Sequence, residues 1–142
     1  MKTKRDASDI LKTQQKETQN KFNSLRELQD LVMPLRDFIS NSSGNELNKF
    51  GELLDKGWKI KRELTDRISS DEIDNYYQKA KDSGATGGKL LGAGGGGCLL
   101  LYVESKYQQS VIDALSELFC LPIGFDEGGT RITYYDQSME FT

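Results

Sequence analysis

The sequence predicts an α+β fold, in which a small antiparallel sheet has helices packed on one face. Two observations predict this class. Apolar residues recur at three- and four-residue steps, the period of a helix, through much of the first eighty residues. After Gly84 the pattern changes to short apolar runs and alternation, which are typical of strands. The order helix-helix-helix-strand-strand-helix-strand-strand indicates two layers in a single domain over residues 1–142.

The first helix is expected from about Ser8 to Met33. It is uneven, because ten residues without an apolar side chain follow its start. Further on, one face carries the apolar residues Phe22, Leu25, Leu28, Val32, Leu35 and Ile39. Pro34 lacks the N–H that would bond to Asp30, so we expect a kink or a short break there.

Three capping boxes, each a serine followed three residues later by Glu or Gln, indicate the starts of the remaining helices. The three pairs are Ser43 with Glu46, Ser69 with Glu72, and Ser105 with Gln108. The helices that they open are expected over about 45–64, from Ser69 to near Gly84, and from Ser105 to about Cys120. Trp58 lies on the first of these three helices, and it is expected to be a core residue rather than a ligand-binding one.

Four strands are expected after the glycine-rich stretch. Lys89–Leu91 is predicted as a short strand and Cys98–Glu104 as a central one. Leu121–Asp126 and Thr130–Tyr135 flank Glu127-Gly128-Gly129, which is typical of a hairpin turn. The sheet is therefore predicted to be antiparallel.

Composition excludes several classes of function. The net charge of −3 argues against a dedicated nucleic-acid binder, which usually carries a basic face. No apolar run approaches the roughly 20 residues of a membrane helix, and no signal peptide precedes the first helix, so we expect a cytoplasmic protein without membrane contact. Without histidine, the chain offers neither a His-based catalytic dyad nor a His-containing zinc site. Cys98 and Cys120 are expected to be reduced core residues.

Glycine is concentrated between Gly84 and Gly97, where eight of fourteen residues are glycine, against six in the rest of the chain. Such density is typical of positive φ angles, or of close approach by another backbone or by a ligand, often a phosphate. Two interpretations remain open. The bare N–H groups of a loop between two strands bind an anion, with Lys89 as the neighbouring cation, or the glycines only let two backbones pack closely.

The glycine run matches neither of the two common phosphate-binding motifs. A Walker loop needs G-x-x-x-x-G-K-[ST], and Gly88-Lys89 fits its centre. Ser83, however, stands where the first glycine belongs, and Leu90 stands where the magnesium-binding hydroxyl belongs. The spacing within 92–97 matches G-x-G-x-x-G, but that motif must open a helix, and here the glycines open a strand.

The stretch GATGGKLLGAGGGGCLLLYV, residues 84–103, resembles the third conserved motif of the GHMP kinase superfamily. Residues 5–11, 57–61 and 68–74 resemble the sugar-kinase branch of that family, with the nearest likeness to heptose 7-phosphate kinases and galactokinase-like bacterial enzymes. The resemblance covers roughly residues 3–136. It implies a ferredoxin-like C-terminal lobe, which agrees with the predicted element order.

The resemblance also implies a function. The chain is expected to be the C-terminal lobe of an ATP-dependent sugar or sugar-phosphate kinase, inactive alone. The motifs of the N-terminal lobe do not occur in it, so no catalytic residue is expected here, and that lobe, in the same chain or another, is the implied partner. ATP and Mg²⁺ are the implied cofactors, with Mg²⁺ held mainly by the other lobe. The nucleotide-binding residues would be Lys89, Gly92, Ala93, Gly94, Gly95, Gly96 and Gly97.

Two further expectations follow. The surface where the other lobe docks should be apolar and exposed in this chain, which allows a homodimer through that surface. The alternative function is a non-catalytic ferredoxin-like module that binds a small anionic ligand or a protein partner.

Overall fold

The computed structural model describes residues 21–41, 47–124 and 128–131. Within these ranges the predicted α+β class is confirmed, with helices packed against an antiparallel strand pair. The elements, in chain order, are α1 (Phe22–Asp30), α2 (Val32–Asn41), α3 (Leu47–Arg62), α4 (Asp71–Asp82), β1 (Ala85–Leu91), β2 (Cys98–Val103), a 3-10 turn (Ser105–Tyr107) and α5 (Gln108–Ala114).

The predicted break in the first helix is present and separates α1 from α2 at Leu31. The N–H of Leu31 donates to the carbonyl of Leu28 at 3.3 Å, a tighter turn than that of an α-helix. Pro34 cannot donate to the carbonyl of Asp30, and its ring would collide with that carbonyl in a continuous helix. The break therefore lies three residues before Pro34. The expected part of this helix before residue 21 lies outside the described residues.

The N-cap of helix α4 lies one residue later than predicted, at Ser70 instead of Ser69. The N–H of Ile73 donates to the hydroxyl of Ser70 at 3.3 Å, and Ser70 has the extended backbone of an N-cap. The hydroxyl of Ser69 instead donates to the Asp74 carboxylate at 2.6 Å. The assignment of Ser69 as the cap was wrong by one position. The capping box predicted at 43–46 lies outside the described residues.

Helix α5 is shorter than predicted, and its predicted capping box is wrong. Ser105 begins a 3-10 turn that lacks a side-chain cap, and Gln108 donates its side-chain N–H to the carbonyl of Val103 at 3.4 Å. The helix ends at Ala114 instead of near residue 120. Phe119 is 84% exposed, so burial of this side chain does not support a longer helix there.

Strand β1 begins four residues earlier than predicted and contains glycines that were expected to precede it. It pairs with β2 in antiparallel register, with Lys89 opposite Leu100 and an irregularity between Ala85 and Gly87. Neither 121–124 nor 128–131 forms a strand. The rest of the predicted C-terminal hairpin lies outside the described residues.

The core lies between β1 and the two helices α3 and α4. Trp58 is confirmed as a core residue, with 1% of its surface exposed. The main cluster of buried side chains consists of Trp58, Ile68, Ile73, Tyr77 and Leu90. A second cluster connects α4, β1 and α5 through Ala80, Ala85 and Val111. Burying a large apolar side chain stabilises the fold by about 1.5–3 kcal/mol. Cys98 and Cys120 are free thiols but are exposed, so their assignment to the core was wrong.

Candidate functional site

Helix α3 and strand β1 meet backbone to backbone. A Cβ placed on Gly87 would lie 1.8 Å from the carbonyl oxygen of Gly51, and one on Gly88 would lie 2.3 Å from that of Leu100. Neither position can accept a side chain without movement of the main chain. For the first part of the glycine run, close backbone packing is therefore the reason for glycine. This contact fixes β1, and with it the start of the following loop, on α3.

The loop Gly92–Gly97 joins β1 to β2 and is fixed on one side only. Gly94 packs against the connection between α3 and α4, where an added Cβ would lie 2.8 Å from the Cα of Ile68. The N–H of Gly95 donates to the Ile68 carbonyl at 2.9 Å, so that N–H is occupied. Gly92, in contrast, is exposed, and a Cβ there would meet nothing within 4 Å. The loop thus has an anchored side and an open side.

The backbone of this loop explains why glycine recurs in it. Positive φ angles, which disfavour any residue with a Cβ, occur at Gly92, Gly94, Gly95 and Gly97. Ala93 and Gly96 lie between them and are partly buried. The structure therefore brings the predicted site residues of the loop together in one turn between the strands. Successive N–H groups in such a turn can bind an anion wherever they are not already bonded.

Lys61 is a residue of this site that the sequence did not indicate. Its side chain, at the end of α3, donates to the carbonyl of Gly92 at 3.3 Å. Lys61 is partly buried, and burial and, second, the positive charge of Lys89 lower its pKa. No local signal could have found the contact, which joins residues 31 positions apart.

Lys89, the predicted cation, lies on β1 three residues before the loop and is partly buried. Its positive charge contributes, after burial, to the lowered pKa of Lys61. Within the described ranges, no carboxylate forms an ion pair with Lys61 or Lys89. Lys61 contacts Gly92, the first residue of the loop, and unpaired positive charge at that point favours an anionic ligand.

A partly buried polar network connects α3, α4 and β1. The hydroxyl of Tyr77 donates to the Asp55 carboxylate at 2.7 Å and lies 3.4 Å from the carbonyl of Gly88. Lys59 pairs with the same carboxylate at 2.7 Å, and Lys81 lies 3.7 Å from it. Burial and the neighbouring Asp55 raise the pKa of Tyr77 well above its usual value. Burial acts to raise the pKa of Asp55 as well, but its hydrogen bonds from Lys59 and Tyr77 outweigh burial and lower it.

An open cleft of about 610 Å³ lies beside the connection between α3 and α4. It is polar, and the Arg62–Asp74 ion pair, at 2.8 Å, forms part of its wall. None of the residues that line it belongs to the glycine loop. The cleft and the loop are thus separate features, and we assign the cleft no ligand.

The described residues offer no evident metal site. Within 21–41, 47–124 and 128–131, no group of three or more Cys, Asp or Glu side chains is arranged to hold a metal ion. None of the helices in the same ranges combines the length and apolarity that a membrane crossing requires.

Residues 36–119 match the family described as GHMP kinases C terminal. The match covers more than half of the chain, including α3, α4, both strands and the glycine loop. The chain belongs to this family. The predicted resemblance is thereby confirmed, and the glycine-rich stretch lies inside the matched region.

Relatives and a solved structure agree with this assignment. The chain is 33% identical over 70 residues to D-glycero-alpha-D-manno-heptose 7-phosphate kinase of Campylobacter jejuni, over 49% of this chain and 21% of that protein. It is 29% identical over 85 residues to galactokinase of Pyrococcus furiosus, over 59% of this chain and 23% of that protein. The matches thus span about a fifth to a quarter of these relatives' lengths. Mevalonate kinase of L. major, crystallised with R-mevalonate, has the same fold, with a TM-score of 0.66, 21% identity, and coverage of 81% of this chain and 35% of that one.

Proposed function

We propose that this chain acts as the C-terminal lobe of an ATP-dependent kinase for a sugar or sugar phosphate. In this proposal Gly92–Gly97 and Lys89 lie beside the nucleotide phosphates, and the chain is inactive without an N-terminal lobe. Mg²⁺ is held mainly by that lobe. The enzyme works in the cytoplasm, and the other lobe and the sugar substrate are its partners.

The open side of the loop supports this proposal most directly. Gly92 has free space where a side chain would be, and Lys61, which has no carboxylate partner among the described residues, contacts its carbonyl. Lys89 lies three residues before Gly92 on the preceding strand. A phosphate group approaching Gly92 would meet bare backbone and positive charge, which are the features that phosphoryl transfer needs around its transferred group. The relatives named above are kinases of heptose 7-phosphate and of galactose, which makes such sugars the first substrates to test.

A valine at position 92 tests the proposal. The chain would be mixed with the N-terminal lobe of a heptose-phosphate kinase or a galactokinase, and ADP release measured with each sugar. Gly92→Val should lower kcat/KM by about 100-fold or more, because a side chain would occupy the phosphate position and misplacement of reacting groups costs about this much.

Gly129→Val is the matched control. Gly129 also has a positive φ, of 61° against 99° at Gly92, and also has nothing within 4 Å of an added Cβ. Both variants carry backbone strain, but only one of them blocks the loop. Equal activity of the two variants, or activity of the chain without any N-terminal lobe, would contradict the proposal.

The alternative function, a non-catalytic module for a small anion or a protein partner, uses the same electropositive loop. The lobe-mixing experiment distinguishes this alternative from the kinase function. An anion that binds the isolated chain, with no ADP release from any lobe mixture, would favour the alternative.

A further inference from the structure

Lys61 and Lys89 differ from four other lysines of the described chain, each of which pairs with a carboxylate. Those four are Lys59, Lys79, Lys81 and Lys106, with N–O distances from 2.7 to 3.7 Å. The ammonium group of Lys61 contacts a main-chain oxygen instead, the carbonyl of Gly92 at 3.3 Å. An ammonium group has three N–H donors, so this single contact leaves two for a ligand.

The charged form of Lys61 is disfavoured in the free protein. Lys61 is partly buried, and the like charge of Lys89 acts on it, so both effects oppose its charged form. An anion bound between the two lysines would offset both effects, because an opposite charge favours the ammonium form. A lysine that served only to stabilise the end of its helix would bond to the last carbonyls of α3, whereas Lys61 reaches across to the loop.

We propose that Lys61 and Lys89 together form a two-cation site for a phosphate group on the open, Gly92 side of the loop. The proposal rests on the proposed function and adds to it a residue from α3, which was not among the predicted site residues. The nucleotide and a phosphorylated sugar present the same anionic phosphate oxygens, and the test below distinguishes these two sources. When no ligand is bound, the ammonium group of Lys61 donates to the carbonyl of Gly92. When a phosphate binds, the ammonium group turns to the phosphate.

Binding measurements on the isolated chain test this site. Inorganic tripolyphosphate, ATP and glucose 6-phosphate would each be titrated by calorimetry at low ionic strength. Lys61→Gln and Lys89→Gln should each weaken tripolyphosphate binding about tenfold, because each substitution removes a charge-assisted hydrogen bond to the phosphate. Lys56→Gln is the matched control, because Lys56 is an exposed lysine on the same helix and its loss changes the net charge equally. It should stay within about twofold of wild type, the residual effect of one surface charge.

The three probes distinguish the source of the phosphate. Loss of ATP binding in Lys61→Gln, with glucose 6-phosphate unaffected, assigns the site to the nucleotide, and the reverse pattern assigns it to a phosphorylated sugar. Equal affinities in Lys61→Gln and Lys56→Gln for every probe would overturn the site.

A second measurement separates binding from a structural role. The pKa of Lys61, followed by NMR of its side chain, should rise when tripolyphosphate binds, because an opposite charge favours the ammonium form. An unchanged pKa in the bound state would overturn the proposal. So would a wild-type chain that binds none of the probes. The kinase function itself is tested independently by ADP release in the lobe mixture, so that either proposal can fail without the other.

Discussion

The buried pair of Asp55 and Tyr77 gives the protein a pH-dependent stability at the level of single residues. Asp55 has a lowered pKa in the folded protein, so its contribution to stability is present above its unfolded pKa, about 3.9, and is lost as the pH falls through the folded value. Tyr77 has a raised pKa, so its contribution is present below its unfolded pKa, about 10, and is lost as the pH rises through the folded value.

Tyr77→Phe should lower the free energy of unfolding by about 1–2 kcal/mol at neutral pH, since it removes a hydrogen bond from a buried carboxylate. It should also make the loss of stability below about pH 4 shallower, because the pKa of Asp55 moves back towards its unfolded value. Urea unfolding across the acid range measures both effects. Tyr76→Phe is the control, since the Tyr76 hydroxyl reaches only the exposed Glu117 at 3.3 Å. Identical pH profiles for the two variants would contradict the assignment.

At the scale of elements, the start of α4 and the start of α5 differ in a way that mutation can measure. Ser70→Ala should destabilise the protein by about 1 kcal/mol, because it removes an N-cap acceptor from Ile73. Ser105→Ala removes the serine of the other predicted box, which makes no cap, and should change stability by less than about 0.5 kcal/mol. Thermal or urea unfolding of the two variants checks this, and equal losses would show that the cap assignment is wrong.

The elements show which parts of the fold the sequence could predict. Helical periodicity identified α3 and α4 well, because their apolar faces are buried against β1 and tertiary packing agrees with the local pattern. The same periodicity overestimated the length of α5, and Phe119, beyond its end, is exposed. Local patterns also missed the early start of β1. Gly87 and Gly88 belong to the strand because their backbones pack against Gly51 and Leu100, and these contacts are non-local.

The site was predictable to a similar extent. Glycine density located the loop, because positive φ angles leave a compositional signal. It could not separate glycines that pack against backbone, such as Gly87, from Gly92, which faces open space. Lys61 lies 31 residues from the loop carbonyl that it contacts, so only the folded chain brings the two together.

At the scale of the whole molecule, the C-terminal part of the described chain exposes apolar side chains. These are Ile112, Phe119, Leu121 and Ile123, with exposed fractions from 44% to 84%. The sequence predicted an exposed apolar surface at the junction with a second lobe. We expect the isolated chain to self-associate through this segment, because large exposed apolar groups drive association in water.

The double variant Phe119→Ser, Ile123→Ser should therefore sediment as a monomer at concentrations where the wild type associates, with little change in stability. Sedimentation velocity over a wide range of concentration measures this. Phe22→Ser is the control, since Phe22 is similarly exposed but lies on α1. An equal effect of the control, or a wild-type chain that stays monomeric throughout, would contradict the prediction.

The contact between Gly51 and Gly87 constrains how this chain can diverge. A side chain at residue 51 would collide with Thr86 and Tyr102, just as one at residue 87 would collide with the carbonyl of Gly51. Homologous chains that enlarge either position must shift α3 away from the strand as a unit. Such a shift would carry the ammonium group of Lys61 away from the carbonyl of Gly92. The two glycines therefore constrain the position of Lys61, although neither of them contacts it.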